Sequence, residues 1–177
     1  SLEFIQALWT RGVVGKTVLD AGSGAGLPGM FFATLRRPPH TILLDSSQRK
    51  LGHLARALES GSIALPNVQI RFARIDEQKP CADLITARAL LPYPFVLELL
   101  LPALKEQGWI ALPIGSFHRS HTSHLGLTQE ELVPEAWRAG ERKIVLCQKI
   151  ERARKGYPRG WKELKADLEA HRLEERE

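Results

Sequence analysis

Residues Val18-Leu19-Asp20-Ala21-Gly22-Ser23-Gly24-Ala25-Gly26-Leu27-Pro28-Gly29 join a short apolar run, an acid and three alternating glycines to the start of a helix. Glycine has no Cβ to hold a ligand away from the backbone, and it adopts the positive φ that a tight strand-to-helix turn needs. Pro28 suits a first helical turn. Such a loop suits a nucleotide-like cofactor. Gly24-Ala25-Gly26-Leu27-Pro28-Gly29 also satisfies the G-x-G-x-x-G dinucleotide pattern, and Asp20 separates the two chemistries. A dinucleotide sets its pyrophosphate at the helix N-terminus, where a nearby carboxylate repels it. S-adenosylmethionine has no phosphate, and its sulfonium and ammonium groups are attracted to a carboxylate. The loop carrying Asp20, Gly22, Gly24 and Gly26 therefore favours a methyl donor over a dinucleotide or a purely structural glycine turn.

Three further positions fall where a cofactor lying across a sheet edge meets the chain. His40-Thr41-Ile42-Leu43-Leu44-Asp45 reads as a buried strand ending in an acid, one strand-helix-strand unit beyond Asp20. At that place a carboxylate accepts hydrogen bonds from both ribose hydroxyls of an adenosine; its plainer role is to cap the helix that follows near Ser46 or Ser47. Asp76, after the alternating run 67–74, faces either an adenine amino group or solvent. Arg88 follows the apolar run 82–87 and reaches the carboxyl edge where open α/β sheets bind ligands, as a site residue that orients cofactor or substrate or as half of a surface ion pair.

The elements that must position these residues alternate, which predicts a doubly wound α/β sheet. Strands are expected near 17–21, 40–45, 68–74, 82–87, 108–113 and 143–150, with helices near 28–36, 47–60, 92–105 and 161–175. The segment 1–150 is read as the cofactor-binding domain, with 151–177 a basic tail and helix of the same domain. Within it Trp161, Leu164 and Leu168 recur at the spacing of an amphipathic helix.

The chain has 177 residues, 44% of them hydrophobic, enough to bury the core of one domain. It contains no run of 18 apolar residues, so no transmembrane helix is expected, and no signal-peptide pattern opens it. Cys81 and Cys147 stand apart without metal or redox spacing, as suits a reducing cytoplasm. A net charge of +5 favours an anionic partner, and charge alone does not distinguish RNA from a membrane surface. Positive charge gathers at Arg152, Arg154, Lys155, Arg159 and Lys162, with Tyr157 and Trp161 interleaved. If that partner is RNA, Arg154, Lys155 and Arg159 are the candidate contacts, since basic groups neutralise phosphates while aromatics stack on unpaired bases; the alternative is a solvated face with both aromatics packed on the body. His118, His121 and His124 recur every three residues. They lack an evident fourth ligand, so no metal is expected, and the segment reads as a loop.

The glycine segment, Leu43-Leu44-Asp45-Ser46 and Ala87-Arg88-Ala89-Leu90 together resemble the RsmG (GidB) family of bacterial small-subunit (16S) rRNA guanine-N7 methyltransferases. The resemblance runs from about residue 2 to residue 160. It implies a class I S-adenosylmethionine-dependent methyltransferase sheet (Rossmann-like) of seven strands with the last antiparallel; a short irregular strand around 132–138 completes the count. It also implies S-adenosylmethionine as cofactor, contacts to it at Gly22, Leu27, Ile75, Asp76 and Arg88, and a small-subunit rRNA or ribosomal particle as partner. A cytoplasmic monomer is expected. Leu2 to Trp9 match the end of the helical region that precedes the family's glycine motif. The family's Ser-Arg-Ala-Phe stands here as Ala87-Arg88-Ala89-Leu90, and its Ala-Leu-Lys-Gly turn as Ala111-Leu112-Pro113-Ile114-Gly115. The lysine is replaced, which motivates an alternative: a degenerate methyltransferase fold acting as an RNA-binding module. A small-molecule or protein methyltransferase is a third reading.

Overall fold

The computed structural model describes residues 2–115, 122–137 and 142–174, with side chains of the last helix as far as His171. The described elements run α1 (Leu2–Arg11), β1 (Thr17–Ala21), α2 (Gly29–Ala33), β2 (His40–Asp45), α3 (Gln48–Glu59), β3 (Val68–Phe72), β4 (Ala82–Ala87), α4 (Phe95–Leu100), β5 (Leu104–Ile114), β6 (Leu127–Leu132), β7 (Lys143–Lys149) and α5 (Trp161–Glu174). The strands form one seven-stranded sheet in the order β3-β2-β1-β4-β5-β7-β6. Strands β1 to β5 are parallel to one another, and β7 lies antiparallel between β5 and β6. The expected doubly wound α/β class and its antiparallel last strand are both present.

Alternation along the central strands feeds two cores. Leu19, Ala21, Ile42, Leu44, Ile85 and Ile110 face α4 and α5 through Val96, Leu97, Leu100 and Leu164. Val18, Leu84, Ala111, Ile144 and Leu146 face the opposite way, onto Phe4, Ile5 and Leu8 of α1 and Phe32 of α2. With both faces covered, β2 and β4 are buried along nearly their whole length, the near-continuous apolar pattern of parallel strands.

Several boundaries differ from the sequence reading, each for a local reason. The seventh strand is Leu127–Leu132, not 132–138: this edge strand pairs only with β7 and shows Thr128 and Glu131 to solvent, so its polar residues mask its extended character. Pro134 then ends it. Helix α4 is shorter than 92–105, because Pro92 and Pro94 delay its start and Pro102 sits in the single 3₁₀ turn (Leu101–Ala103) that follows. β5 correspondingly begins at Leu104 rather than 108, with Gln107 at φ 61 inside an irregular stretch of its pairing to β4. Helix α2 covers five residues instead of 28–36, cut short ahead of Pro38 and Pro39.

Candidate functional site

The strand order reverses between β1 and β4, and at this switch point the carboxyl ends of four strands surround a cleft of about 370 Å³. Gly22 follows β1, Leu44 and Asp45 end β2, Arg74, Ile75 and Asp76 follow β3, and Arg88 follows β4. Two walls were not legible from spacing. Lys50 enters from the first turns of α3, and Trp161 enters from the start of α5.

The glycine loop is held rigidly against the sheet. The backbone N–H groups of Gly22 and Ser23 both donate to the Leu44 carbonyl, at 2.8 and 3.0 Å. Gly22 has φ +68, and a Cβ there would come within 2.9 Å of the Leu90 side chain beside the cleft. Gly29 is required for a different reason: a Cβ would collide with Leu43 and lie 2.8 Å from the Asp20 Cβ, so only glycine lets α2 approach β1 and β2 this closely.

Asp20 stands beneath this loop rather than in the cleft. It is 1% exposed. Its Oδ2 accepts from Ser23 Oγ at 2.8 Å and from the Gly29 N–H at 2.9 Å, and its Oδ1 accepts from Thr86 Oγ1 at 3.0 Å. Burial pushes its carboxyl above the usual range, while those three donors and the positive charge of Arg88 act against the shift. The expected direct contact of Asp20 with a cofactor is thus replaced by a brace: its carboxylate takes the first N–H of α2, the place where a pyrophosphate would settle. Gly24, Gly26 and Leu27 shape the same loop without lining the cleft.

Asp45 does line it. Its Oδ2 accepts from the Gly24 N–H at 3.0 Å and its Oδ1 from the Ser47 N–H at 2.8 Å, so the side chain is fixed while each oxygen keeps a lone pair to offer. Asp45 is not the N-cap of α3, which is Ser47; it accepts the N–H of that residue just ahead of the helix, while its side chain lines the cleft. Ile75 and Asp76 sit in a 3₁₀ turn, Ile75 buried and the Asp76 carboxylate paired to Arg74 at 2.9 Å. The Arg74 guanidinium lies 5.3 Å over the Trp161 ring. Arg88 is exposed at the cleft mouth.

The basic tail divides. Arg154 and Lys155 are exposed. Arg159 is committed elsewhere: it forms a bidentate pair with the buried carboxylate of Glu98 on α4, at 3.0 and 2.6 Å, and a further ion pair with Asp167. Glu98 also accepts from the Arg159 N–H, and this pairing raises the guanidinium pKa further. The reason Arg159 departs from the expected RNA role is that its donors clamp the tail to α4, beside Leu164 and Leu168, which are buried. Tyr157 packs edge-on against His124 at 4.6 Å. His118 and His121 lie outside the described residues, which contain no cluster of three metal-ligating side chains.

The family model for rRNA small subunit methyltransferase G matches residues 1–126. The chain belongs to this family, GidB. A ribosomal RNA small subunit methyltransferase G from Leptospira biflexa is 35% identical over 93% of the chain and 71% of its own length. Its namesake from Leptospira interrogans is 34% identical over 85% of the chain and 61% of that protein. Among solved structures, a SAM-dependent methyltransferase from Aquifex aeolicus matches with a TM-score of 0.62 at 15% identity, covering 84% of this chain and 92% of that one. That likeness shows the same fold. No helix among the described residues of this GidB member is long and apolar enough to cross a membrane.

Proposed function

We propose that this chain transfers the methyl group of S-adenosylmethionine to N7 of a guanine in small-subunit ribosomal RNA. Membership of the GidB family supports the reaction, and the observation that carries the cofactor reading is Asp45, fixed by two backbone donors and lining the switch-point cleft.

The cleft's chemistry fits the donor. Asp45 offers charge-assisted acceptors for a ribose diol. Ile75, Leu91, Leu99 and the Trp161 face supply apolar walls for an adenine, and Asp76 stands at the rim where an exocyclic amino group would present its protons. Gly22 leaves the backbone bare beside the methionine end, with Gly24, Gly26 and Leu27 shaping the loop and Asp20 bracing it from below. Bound there, S-adenosylmethionine supplies an electrophilic methyl group. Guanine N7 carries a free lone pair and loses no proton, so no general base is required of the chain. Its residues position, exclude water and orient, with Arg88 at the mouth in the orienting role. Arg154 and Lys155, exposed on the tail, are the RNA contacts of this reading, and a cytoplasmic monomer acting on rRNA or the ribosomal particle completes it.

Titration calorimetry tests the cofactor step. S-adenosylmethionine and S-adenosylhomocysteine should bind and NAD should not, because Asp20 occupies the helix end that a pyrophosphate needs. Binding of NAD without a response to either methyl-donor species would contradict the reading.

A further inference from the structure

Helix α3 starts at the donor cleft, where Ser46 and Lys50 line the wall, and it divides sharply into an apolar and a basic side. With about 3.6 residues per turn, Leu51, Leu54, Ala55 and Leu58 fall on one side, turned to β2 and β3, with Leu51 and Ala55 buried. Arg49, His53 and Arg56 fall on the other, all exposed, in a stripe about 10 Å long. The helix carries three cations and a single acid, Glu59 in its last place. Among the described residues no carboxylate pairs with Arg49, Lys50 or Arg56. Helix α5 is different: its lysines alternate with acids, and Lys165 pairs with Glu169 at 3.6 Å. The Arg56 Nη2 donates to His53 Nδ1 at 2.9 Å, which orients the guanidinium along the stripe. Gly52 lies beside it, one turn from both arginines. A Cβ there would meet only Arg56 Nη1, at 3.5 Å, so packing does not call for glycine, and a helix interior disfavours it.

We propose that the outer face of α3 binds the phosphates of the RNA strand beside the methylated nucleotide, through Arg49, Arg56 and Lys50, with Gly52 letting the sugar-phosphate chain lie close against the helix. The inference rests on the methyl-transfer reading and deepens it by placing the substrate's backbone. Cations gathered without counter-charges repel one another, and phosphates relieve that repulsion while releasing their own counterions. The arginine fork also matches phosphate geometry in two parallel hydrogen bonds. Position favours this face over the tail. Arg154 and Lys155 follow β7 at the opposite edge of the sheet, beside His124, whereas Lys50 belongs at once to α3 and to the cleft wall. A membrane surface fits less well, because an interfacial helix presents apolar residues next to its cations, and those of α3 are turned inward to the sheet.

The test titrates the full chain with small-subunit rRNA by filter binding over a range of salt, with methylation rate and S-adenosylmethionine affinity followed alongside. Arg49→Ala combined with Arg56→Ala should weaken RNA binding at least tenfold and flatten its salt dependence, by a slope of up to about 0.7–0.9 for each phosphate released. Arg49→Lys combined with Arg56→Lys should bring the affinity back to within about threefold of wild type. Gly52→Glu, which sets an acid beside the stripe, should weaken RNA binding at least fivefold. S-adenosylmethionine affinity should stay within about twofold in all of them and Tm should not fall, a readout that a merely structural role of the arginines would move. Wild-type affinity and salt slope in the alanine pair overturn the inference. So does binding to vesicles of phosphatidylglycerol and phosphatidylcholine that is lost in the alanine pair while RNA binding is kept, which would assign the face to a membrane surface. A wild-type chain that binds the RNA through α3 and transfers no methyl group would sink the methyl-transfer reading and leave this surface standing; one that binds no RNA would overturn the surface.

Discussion

At the scale of single residues, two acids that look alike in the sequence do different work. Asp20 ends its hydrogen bonds within the protein, on Ser23, Gly29 and Thr86, and Asp45 uses two backbone donors to stand fixed at the cleft. Replacing Asp45 by alanine should weaken S-adenosylmethionine binding by about 1–3 kcal/mol, through loss of charge-assisted hydrogen bonds. Stability should also fall, because the Gly24 and Ser47 N–H groups lose their acceptor. Calorimetry and urea denaturation separate the two effects, and a stability loss with unchanged affinity would reduce Asp45 to a loop brace. Arg159→Met makes the complementary prediction. It strands Glu98, which is 6% exposed, and should cost about 2–4 kcal/mol in chemical denaturation. Unaltered stability together with lost RNA affinity would return Arg159 to the RNA face.

At the scale of elements, the glycine loop and the strands carrying Asp45 and Arg88 were legible because parallel strands covered on both faces are apolar along their length and end abruptly in polar residues. The edge strand Leu127–Leu132 was not, since an edge facing solvent is polar and its period of two is diluted by Gln129, Glu130 and Glu131. Nor was the wall made by Trp161. Its spacing with Leu164 and Leu168 announces a packed helix, and nothing in a helical period says that its first residue turns into a cleft formed by strands far earlier in the chain. The same holds for Arg159, whose partner Glu98 lies on α4; a charge run reads alike whether it meets phosphate or a buried carboxylate. The tail's remaining cations give a prediction at this scale. Replacing Arg154 and Lys155 together by alanine should weaken RNA binding and flatten its salt dependence, by a slope of up to about 0.7–0.9 for each phosphate no longer neutralised, with S-adenosylmethionine affinity near wild type. An unchanged slope in filter-binding titrations would assign both to ordinary surface solvation.

At the scale of the whole molecule, the sheet order gathers Gly22, Asp45, Asp76 and Arg88 at its carboxyl edge, where the strand order reverses between β1 and β4 and the turn after β4 joins the first cleft to a second, whereas Arg154 and Lys155 follow β7 at the opposite edge, beside His124. Helix α5 closes over both clefts, held by the Arg159–Glu98 pair and by Leu164 and Leu168. Membership of the GidB family, rather than the shape of the clefts, is what favours methyl transfer over mere RNA retention. The replaced lysine, which falls within the last residues of β5 and not in a turn after it, is the reason to test turnover itself. The most direct measurement incubates the purified chain with S-adenosylmethionine and small-subunit rRNA from cells lacking the corresponding gene, then counts methylated nucleosides by mass spectrometry. One 7-methylguanosine per RNA is the predicted result; a donor that binds while the RNA gains no methyl group would contradict the account and leave the chain an RNA-binding member of its family.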